Sequence, residues 1–133
     1  MKNGNGKVKE YNSSGTLIFE GEYFNSERNG KGKEYKYGKL LFEGEYLNGK
    51  RWNGKGYNKE GKIEFEIKEG NGKGKDYYDN SELRFEGDYL NGKRNGKGKE
   101  YNYYGKLIFE GEYLNGERNG KNKIKIFKLK KIF

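Results

Sequence analysis

Hydrophobic and polar side chains alternate along short stretches of the chain, and each stretch ends in a glycine-rich turn. Phe109, Gly111 and Tyr113 fall on one side of this alternation, and Glu110 and Glu112 fall on the other. A period of two residues is typical of a β-strand with one packed face and one solvated face. No segment shows a 3.6-residue apolar stripe free of glycine, so we predict no helix longer than two turns.

One phrase, Phe-Glu-Gly-Glu-Tyr, recurs along the chain at intervals of about 20 to 24 residues. In the third copy, Phe65 is followed by Glu66 and Ile67, so both the glycine and the tyrosine are absent. We assign the recurring positions as the structural residues of the repeat. They are Phe19, Gly21, Tyr23, Phe42, Gly44, Tyr46, Phe65, Phe85, Gly87, Tyr89, Phe109, Gly111 and Tyr113.

A second phrase, Asn-Gly-Lys-Gly-Lys-Glu-Tyr, lies between copies of the first and is clearest at 29–35 and 95–101. Asparagine and glycine tolerate positive φ, so we predict hairpin turns of roughly four to six residues, as at 115–120. Strand and turn then alternate roughly every 10–12 residues. The pattern predicts an all-β fold, an elongated single-layer antiparallel β-meander of about ten to twelve strands.

Glycine recurs inside the predicted strands, where it weakens a strand unless another group packs against the bare backbone. The recurring aromatic residues supply such a group, and we predict that their rings lie across the glycines of a neighbouring strand. A single hairpin cannot bury these rings, whereas stacked hairpins can. The sequence therefore predicts one continuous stack of hairpins.

The composition supports a packed chain and excludes several classes of chemistry. Of the 133 residues, 30% are hydrophobic and 37% are charged, and the mean hydropathy is −1.34, values typical of disordered proteins. Thirteen Tyr, eight Phe and one Trp instead favour a fold with a core. Because Cys and His are both absent, disulfides, thiolate nucleophiles, imidazole bases and the usual zinc and haem ligands are excluded.

The net charge of +9 is concentrated at the two ends of the sequence. Residues 1–9 contain three lysines and residues 121–133 contain six, and neither segment contains an acid. The segment between them is neutral overall. We therefore expect a local basic patch at the C-terminal end rather than a positive field along the whole surface.

Paired carboxylates such as Glu20 and Glu22 are the strongest candidates for catalysis, because residues i and i+2 of a strand point to the same face. The pair recurs in every repeat, whereas a catalytic pair occurs once in a pocket, so we interpret it as a solvent-facing row opposite lysines. The glycine-rich segment 70–74 lacks the Lys-Ser or Lys-Thr and the helix of a phosphate-binding loop. We predict no catalytic, cofactor-binding or metal-binding residue, no small-molecule substrate, and hence no enzyme.

The repeat resembles the MORN family, the membrane occupation and recognition nexus repeats, in a variant form with Phe and Tyr in the aromatic positions. The family's aromatic-x-Gly-x-aromatic, x-Asn-Gly-Lys-x-x-Gly-x-Gly pattern corresponds to residues 42–56 and again to residues 85–98. Two departures are Tyr in place of the usual second-position Trp, and one extra residue at 51–53. The resemblance implies a β-solenoid of successive hairpins that serves as a non-enzymatic scaffold, and it implies phosphoinositide binding only weakly.

Two groups of side chains are candidates for binding a partner. A single-layer sheet cannot bury both faces, so aromatic residues either form the core stripe or line an open groove, and Trp52 is predicted at a hairpin tip. The basic tail, residues 121–133, alternates lysine with apolar residues, which is typical either of a protected edge strand or of a site for an anionic partner. The candidates are Tyr46, Trp52, Tyr89, Tyr113, Lys123, Lys125, Lys128, Lys130, Lys131 and Phe133.

We therefore predict one repeat domain over residues 1–133. Its five units lie near 4–29, 30–53, 54–69, 70–95 and 96–120, followed by a capping strand and tail over 121–133. The predicted function is a protein-interaction scaffold with a protein partner or self-association. The alternative is binding of anionic phospholipid or RNA through the terminal lysines. Since no apolar run resembles a signal peptide, the expected location is intracellular, in the cytoplasm.

Overall fold

The computed structural model describes residues 4–119, which form one open antiparallel sheet of eleven strands in sequence order. This confirms the predicted all-β single-layer meander, and residues 4–119 contain no helix. The strands are β1 (Gly6–Tyr11), β2 (Leu17–Phe24), β3 (Glu27–Lys36), β4 (Lys39–Leu47), β5 (Lys50–Tyr57), β6 (Ile63–Lys68), β7 (Asn71–Tyr77), β8 (Leu83–Leu90), β9 (Lys93–Tyr101), β10 (Leu107–Leu114) and β11 (Glu117–Arg118).

The hairpin turns along one edge of the sheet contain two residues, not the four to six predicted. In the β4–β5 turn, Asn48 has φ 49° and Gly49 has φ 83°, the double positive φ of a tight hairpin turn. The β10–β11 turn is closed by Asn115 and Gly116 in the same way, so residues 117 and 118 pair as a strand. The prediction was wrong because the Asn-Gly pair closes the hairpin by itself, and the remaining residues are absorbed by bulges within the strands.

Each of these turns is hydrogen-bonded to the hairpin before it. The Gly49 N–H donates to the Arg28 carbonyl at 2.9 Å, and the Asn48 N–H donates to Asn29 Oδ1 at 3.0 Å. The asparagine of the second repeated phrase therefore accepts from the next turn and does not form a turn itself. The same donor–acceptor pairing joins Asn25 to Asn5, Glu69 to Asn53, Asn91 to Asn71 and Asn115 to Asn95.

Glycines from successive strands pair with one another and form two rows across the sheet. One row contains Gly21, Gly32, Gly44 and Gly54, and the other contains Gly74, Gly87, Gly98 and Gly111. On the inner face, defined here as the face that carries Phe19, aromatic rings cover these rows. A Cβ atom added to Gly32 would lie 2.7 Å from the Phe19 ring and 2.9 Å from the Tyr46 ring. The prediction of rings across glycines is confirmed.

The core lies on the inner face and is built mainly from the first aromatic residue of each repeat. Phe19, Phe42, Phe85 and Phe109 are fully buried. They divide into two clusters, one holding Phe19 and Phe42 and the other Phe85 and Phe109. The division falls at the third repeat, where the phrase is degenerate.

The sheet curls so strongly at the third repeat that distant turns touch. The Asn12 side-chain amide donates to the Asp79 carbonyl at 3.0 Å, and the Tyr37 hydroxyl donates to the Asn80 carbonyl at 3.3 Å. The Arg51 guanidinium also donates to the Lys75 carbonyl. The inner face of repeats one and two is thereby closed against that of repeat four.

Candidate functional site

Within residues 4–119, four copies of a Tyr–carboxylate–Arg triad cross the inner face, and each draws its members from three consecutive strands. The carboxylate comes from the strand before the repeated phrase, the tyrosine from the phrase itself, and the arginine from the strand after it. The triads are Glu10–Tyr23–Arg28, Glu34–Tyr46–Arg51, Asp76–Tyr89–Arg94 and Glu100–Tyr113–Arg118.

The Glu34 triad has the closest geometry and is the most buried. Arg51 donates two hydrogen bonds to the Glu34 carboxylate, each at 2.8 Å, and the Tyr46 hydroxyl donates to the same carboxylate at 2.6 Å. The guanidinium carbon of Arg51 also lies 4.6 Å from the centre of the Phe42 ring. A bidentate, charge-assisted pair packed on an aromatic ring fixes the spacing of β3, β4 and β5.

The environment of Glu34 keeps its carboxylate ionised. Burial is the largest single influence and by itself would raise the pKa of this group, but the charge and hydrogen bonds of Arg51, the charge of Arg28 and the hydrogen bond from Tyr46 together outweigh it. Together they bring the pKa of Glu34 from 4.5 down to about 2. Burial and the neighbouring Glu34 charge raise the pKa of Tyr46 well above its usual value, so the tyrosine remains a hydrogen-bond donor.

Stability is therefore expected to fall in acid as Glu34 becomes protonated. Its pKa is lower in the folded chain than in the unfolded chain. The contribution is thus complete above about pH 4.5 and disappears as the pH falls towards about 2. Such a shift corresponds to roughly 3 kcal/mol of unfolding free energy. Urea denaturation between pH 6 and pH 2.5 measures it, and Glu34→Gln should flatten the dependence; an equally steep profile in that variant would assign the acid lability to other groups.

Repeat three lacks all three members of the triad. Gly56 pairs with both Phe42 and Phe65. In the other repeats, the residue that pairs with the phenylalanines in this way is the carboxylate of the triad. Ile67 is the last inner-facing residue before the turn, the position of tyrosine in the other repeats, and it is buried. In the shortened hairpin, Gly70 is followed directly by Asn71, so no residue corresponds to the arginine of the other triads. The concerted loss leaves an apolar contact in place of an ion pair and avoids an unpaired buried charge.

The outer face, opposite the inner one, carries the paired carboxylates identified in the sequence. Glu43 pairs across the sheet with Lys33 on one side and Lys55 on the other, and the same alternation continues through the other repeats. The Lys33–Glu43 ion pair is 3.9 Å long and both side chains are about half exposed. The carboxylates thus form solvent-facing rows opposite lysines, as predicted. No cluster of three or more acids suited to a metal ion occurs within residues 4–119.

The structure does not place the predicted tyrosines on an open surface. Tyr46 and Tyr113 are each only 3% exposed. Tyr89 is half-buried, and its hydroxyl donates to Asp76 at 3.0 Å. Of the two alternatives that the sequence left open, core stripe and open groove, the burial of these rings supports the core stripe, because each hydroxyl is held by the carboxylate of its triad and each ring packs on the core.

The sequence predicts Trp52 at a hairpin tip, but the structure does not place it there. Tyr46 pairs with Arg51 and Glu45 pairs with Asn53, so Trp52 is the extra residue of a bulge within β5. The side chain is half-buried, and its ring covers Gly70, whose added Cβ would lie 2.5 Å from it. The candidates Lys123, Lys125, Lys128, Lys130, Lys131 and Phe133 lie outside the described residues.

A row of exposed apolar side chains lies along one edge of the outer face, a feature that the sequence interpretation missed. Each member directly follows the inner-facing tyrosine and precedes the two-residue turn, so it points away from the core. Lys68 holds the equivalent position in repeat three. The tip row, as we name it, consists of Phe24, Leu47, Leu90 and Leu114, which are 53%, 40%, 47% and 55% exposed.

A cavity of about 410 Å³ lies on the inner face where the sheet curls. Its walls include Glu34 and Arg51 of the second triad, Asp76 of the next one along the chain, and Ile67 between them. The absence of a triad in repeat three leaves this space between the Glu34 triad and the Asp76 triad.

No helix within residues 4–119 has the length and hydrophobicity needed to cross a membrane. No protein-family model matches the chain. A search of curated proteins finds none that is significantly similar to it.

Proposed function

We propose that this protein is a non-enzymatic scaffold of MORN-like repeats that binds an elongated protein partner along the tip row. The tip row carries the proposal: four exposed apolar side chains occupy equivalent positions on a sheet held by buried ion pairs. Apolar side chains in a regular line on a charged face are typical of an interaction surface.

The spacing of the tip row favours a helical partner. Equivalent residues of neighbouring hairpins are two strands apart, about 10 Å. An α-helix presents residues seven positions apart at a similar distance of about 10.5 Å. Leu47 and Leu90 are separated by the repeat that carries Lys68, so the complementary helix would place an acidic residue between two apolar contacts.

The test is recovery of a partner by the tagged full-length chain from its native cell. The double variant Leu47→Ser with Leu90→Ser should lose the partner and retain the β-sheet spectrum and melting temperature, since both side chains are exposed.

The matched control removes exposed aromatic rings from the opposite edge. Tyr11 and Tyr104 are 56% and 83% exposed, and replacing both with serine should leave recovery of the partner unchanged. Recovery of every partner by the tip-row variant would show that the tip row is not the binding surface.

A further inference from the structure

Repeat four departs from the other repeats at several positions, and these positions line the 410 Å³ cavity. Repeats that serve only to stack are expected to keep equivalent residues at equivalent sites, and local departures tend to mark functional sites. The departures concern a carboxylate, a bulge residue and a turn.

The carboxylate departure is Asp76, which stands where the other triads have glutamate. Being one methylene shorter, Asp76 receives only a long contact of 3.4 Å from Arg94, whereas the Glu34–Arg51 pair is 2.8 Å. Asp76 Oδ1 is buried with no hydrogen-bond donor within residues 4–119. The triad beside the cavity is thus incompletely satisfied, and its free oxygen is an acceptor that suits a hydrogen-bond donor rather than an anionic group.

The bulge departure is Arg84. Its counterparts Ile18, Leu41 and Ile108 are apolar and at least half-buried, and Glu64 of repeat three is an exposed acid, whereas Arg84 is an exposed base at the cavity. No carboxylate lies within 4.0 Å of the Arg84 guanidinium in the described part of the chain, and the guanidinium carbon lies 5.5 Å from the centre of the Tyr78 ring.

The turn departure covers residues 78–82. Asn12, Asn58 and Asn102 open the equivalent turns, and each accepts two backbone N–H groups through Oδ1. In repeat four, Tyr78 holds the position of this asparagine. Ser81 stands where the other turns have glycine, at φ 71° and only 7% exposed. A left-handed conformation costs more in serine than in glycine, as it also does at Ser26 and Glu69 in other turns of the sheet.

The charge of the lining shows what the cavity would take. Among residues 4–119, five basic and three acidic side chains line it, an excess of two positive charges. Lys36 also belongs to the lining, its Nζ lies 4.5 Å from the centre of the Tyr77 ring, and no carboxylate within residues 4–119 pairs with it. Five tyrosines also line the space, and their rings suit a small ring-bearing molecule.

We propose that this cavity binds a small soluble molecule consisting of an uncharged ring and a doubly negative oxygen-based group, held by Arg84 and Lys36 with the Ser81 turn as its wall. A phosphate monoester and a dicarboxylate share this chemistry, and arginine binds either one through paired hydrogen bonds. The site goes beyond the scaffold function and does not depend on it, and it runs against the sequence expectation of no small-molecule ligand.

The test is a titration of the full chain, with backbone amide shifts followed by NMR. Phenyl phosphate and phthalate are the two probes, which distinguish the phosphate and dicarboxylate forms. At least one probe should give saturable shifts confined to residues around 36 and 78–84. Arg84→Leu, which restores an apolar residue like Leu41, should weaken that binding at least about tenfold.

The matched control is Lys31→Leu, which removes one positive charge from the exposed outer face. It should change the affinity less than about twofold. Ser81→Gly should raise the melting temperature by removing the strain and also weaken binding, because the wall of the site relaxes. Equal loss of affinity in Arg84→Leu and Lys31→Leu, or no saturable shift with either probe, would overturn the proposal.

Discussion

Replacing Glu34 with alanine is expected to lower the free energy of unfolding by about 3–5 kcal/mol, because it leaves the buried Arg51 guanidinium without its partner. The Arg51 and Glu34 side chains are only 13% and 14% exposed, and the carboxylate receives three close hydrogen bonds. Water cannot replace those bonds without reopening the contacts between β3, β4 and β5. Urea denaturation at pH 7 gives the measurement.

The control is Glu43→Ala on the outer face, which breaks a half-exposed ion pair and should cost less than about 1 kcal/mol. Similar losses in the two variants would mean that the inner triads contribute no more than surface pairs. If Glu34→Ala does not fold, Tyr46→Phe removes a single hydrogen bond from the same carboxylate and should cost about 1 kcal/mol.

The alternation of residues and the recurrence of glycine were sufficient to predict the sheet and its packing. A two-residue period defines which side chains share a face, and glycine in a strand requires a ring or a backbone against it. The placement of rings across glycines follows from this argument, and the structure adds which ring covers which glycine, for example Phe19 across Gly32. The turn length could not be predicted, because Asn-Gly dipeptides have two different roles. The one at 48–49 forms a turn, whereas in the one at 29–30 the asparagine side chain accepts a hydrogen bond from the next turn.

The triads were missed because each member looks like a surface residue when read singly. Glu34 follows Lys33 in a lysine-rich phrase, and Arg51 follows Lys50 directly after a turn. The signal lay in the comparison of repeats, since the carboxylate, the tyrosine and the arginine recur together and are lost together in repeat three. Groups that disappear as a set are expected to be in contact, since one charge left alone inside would be unstable.

The cavity depends on a different level of structure, which a local reading of the repeat cannot supply. It arises because the third hairpin is short and the sheet curls there, so that Asn12 and Asp79 touch although they are 67 positions apart. The same curl sets Arg84 and Lys36, which belong to different repeats, in one lining. Sequence periodicity specifies neighbours along the stack, whereas this contact joins repeats that are not neighbours.

The glycine rows give the second large expected effect, and the two rows should not respond equally. A Cβ at Gly44 would overlap the carbonyl oxygen of Asn53 and lie 2.5 Å from the Gly54 Cα atom, so the obstruction is backbone. At Gly111 the nearest atom is Cζ of the Phe109 ring at 2.9 Å, and a ring turns more easily than a strand moves. Gly44 also lies in the central part of the sheet, whereas Gly111 is on β10, beside the short strand β11.

Gly44→Val is therefore expected to cost about 3 kcal/mol or more, and Gly111→Val about 1–2 kcal/mol, both measured by thermal and urea denaturation. The φ of Gly44 lies outside the left-handed region, so valine meets no backbone strain there and the whole cost arises from the overlap. Glu45→Gln, one residue away on the exposed outer face, should change the stability by less than about 0.5 kcal/mol. Equal melting temperatures for Gly44→Val and Glu45→Gln would show that the two faces are wrongly assigned. A larger loss at Gly111 than at Gly44 would show instead that ring displacement, and not strand separation, determines the stability of the stack.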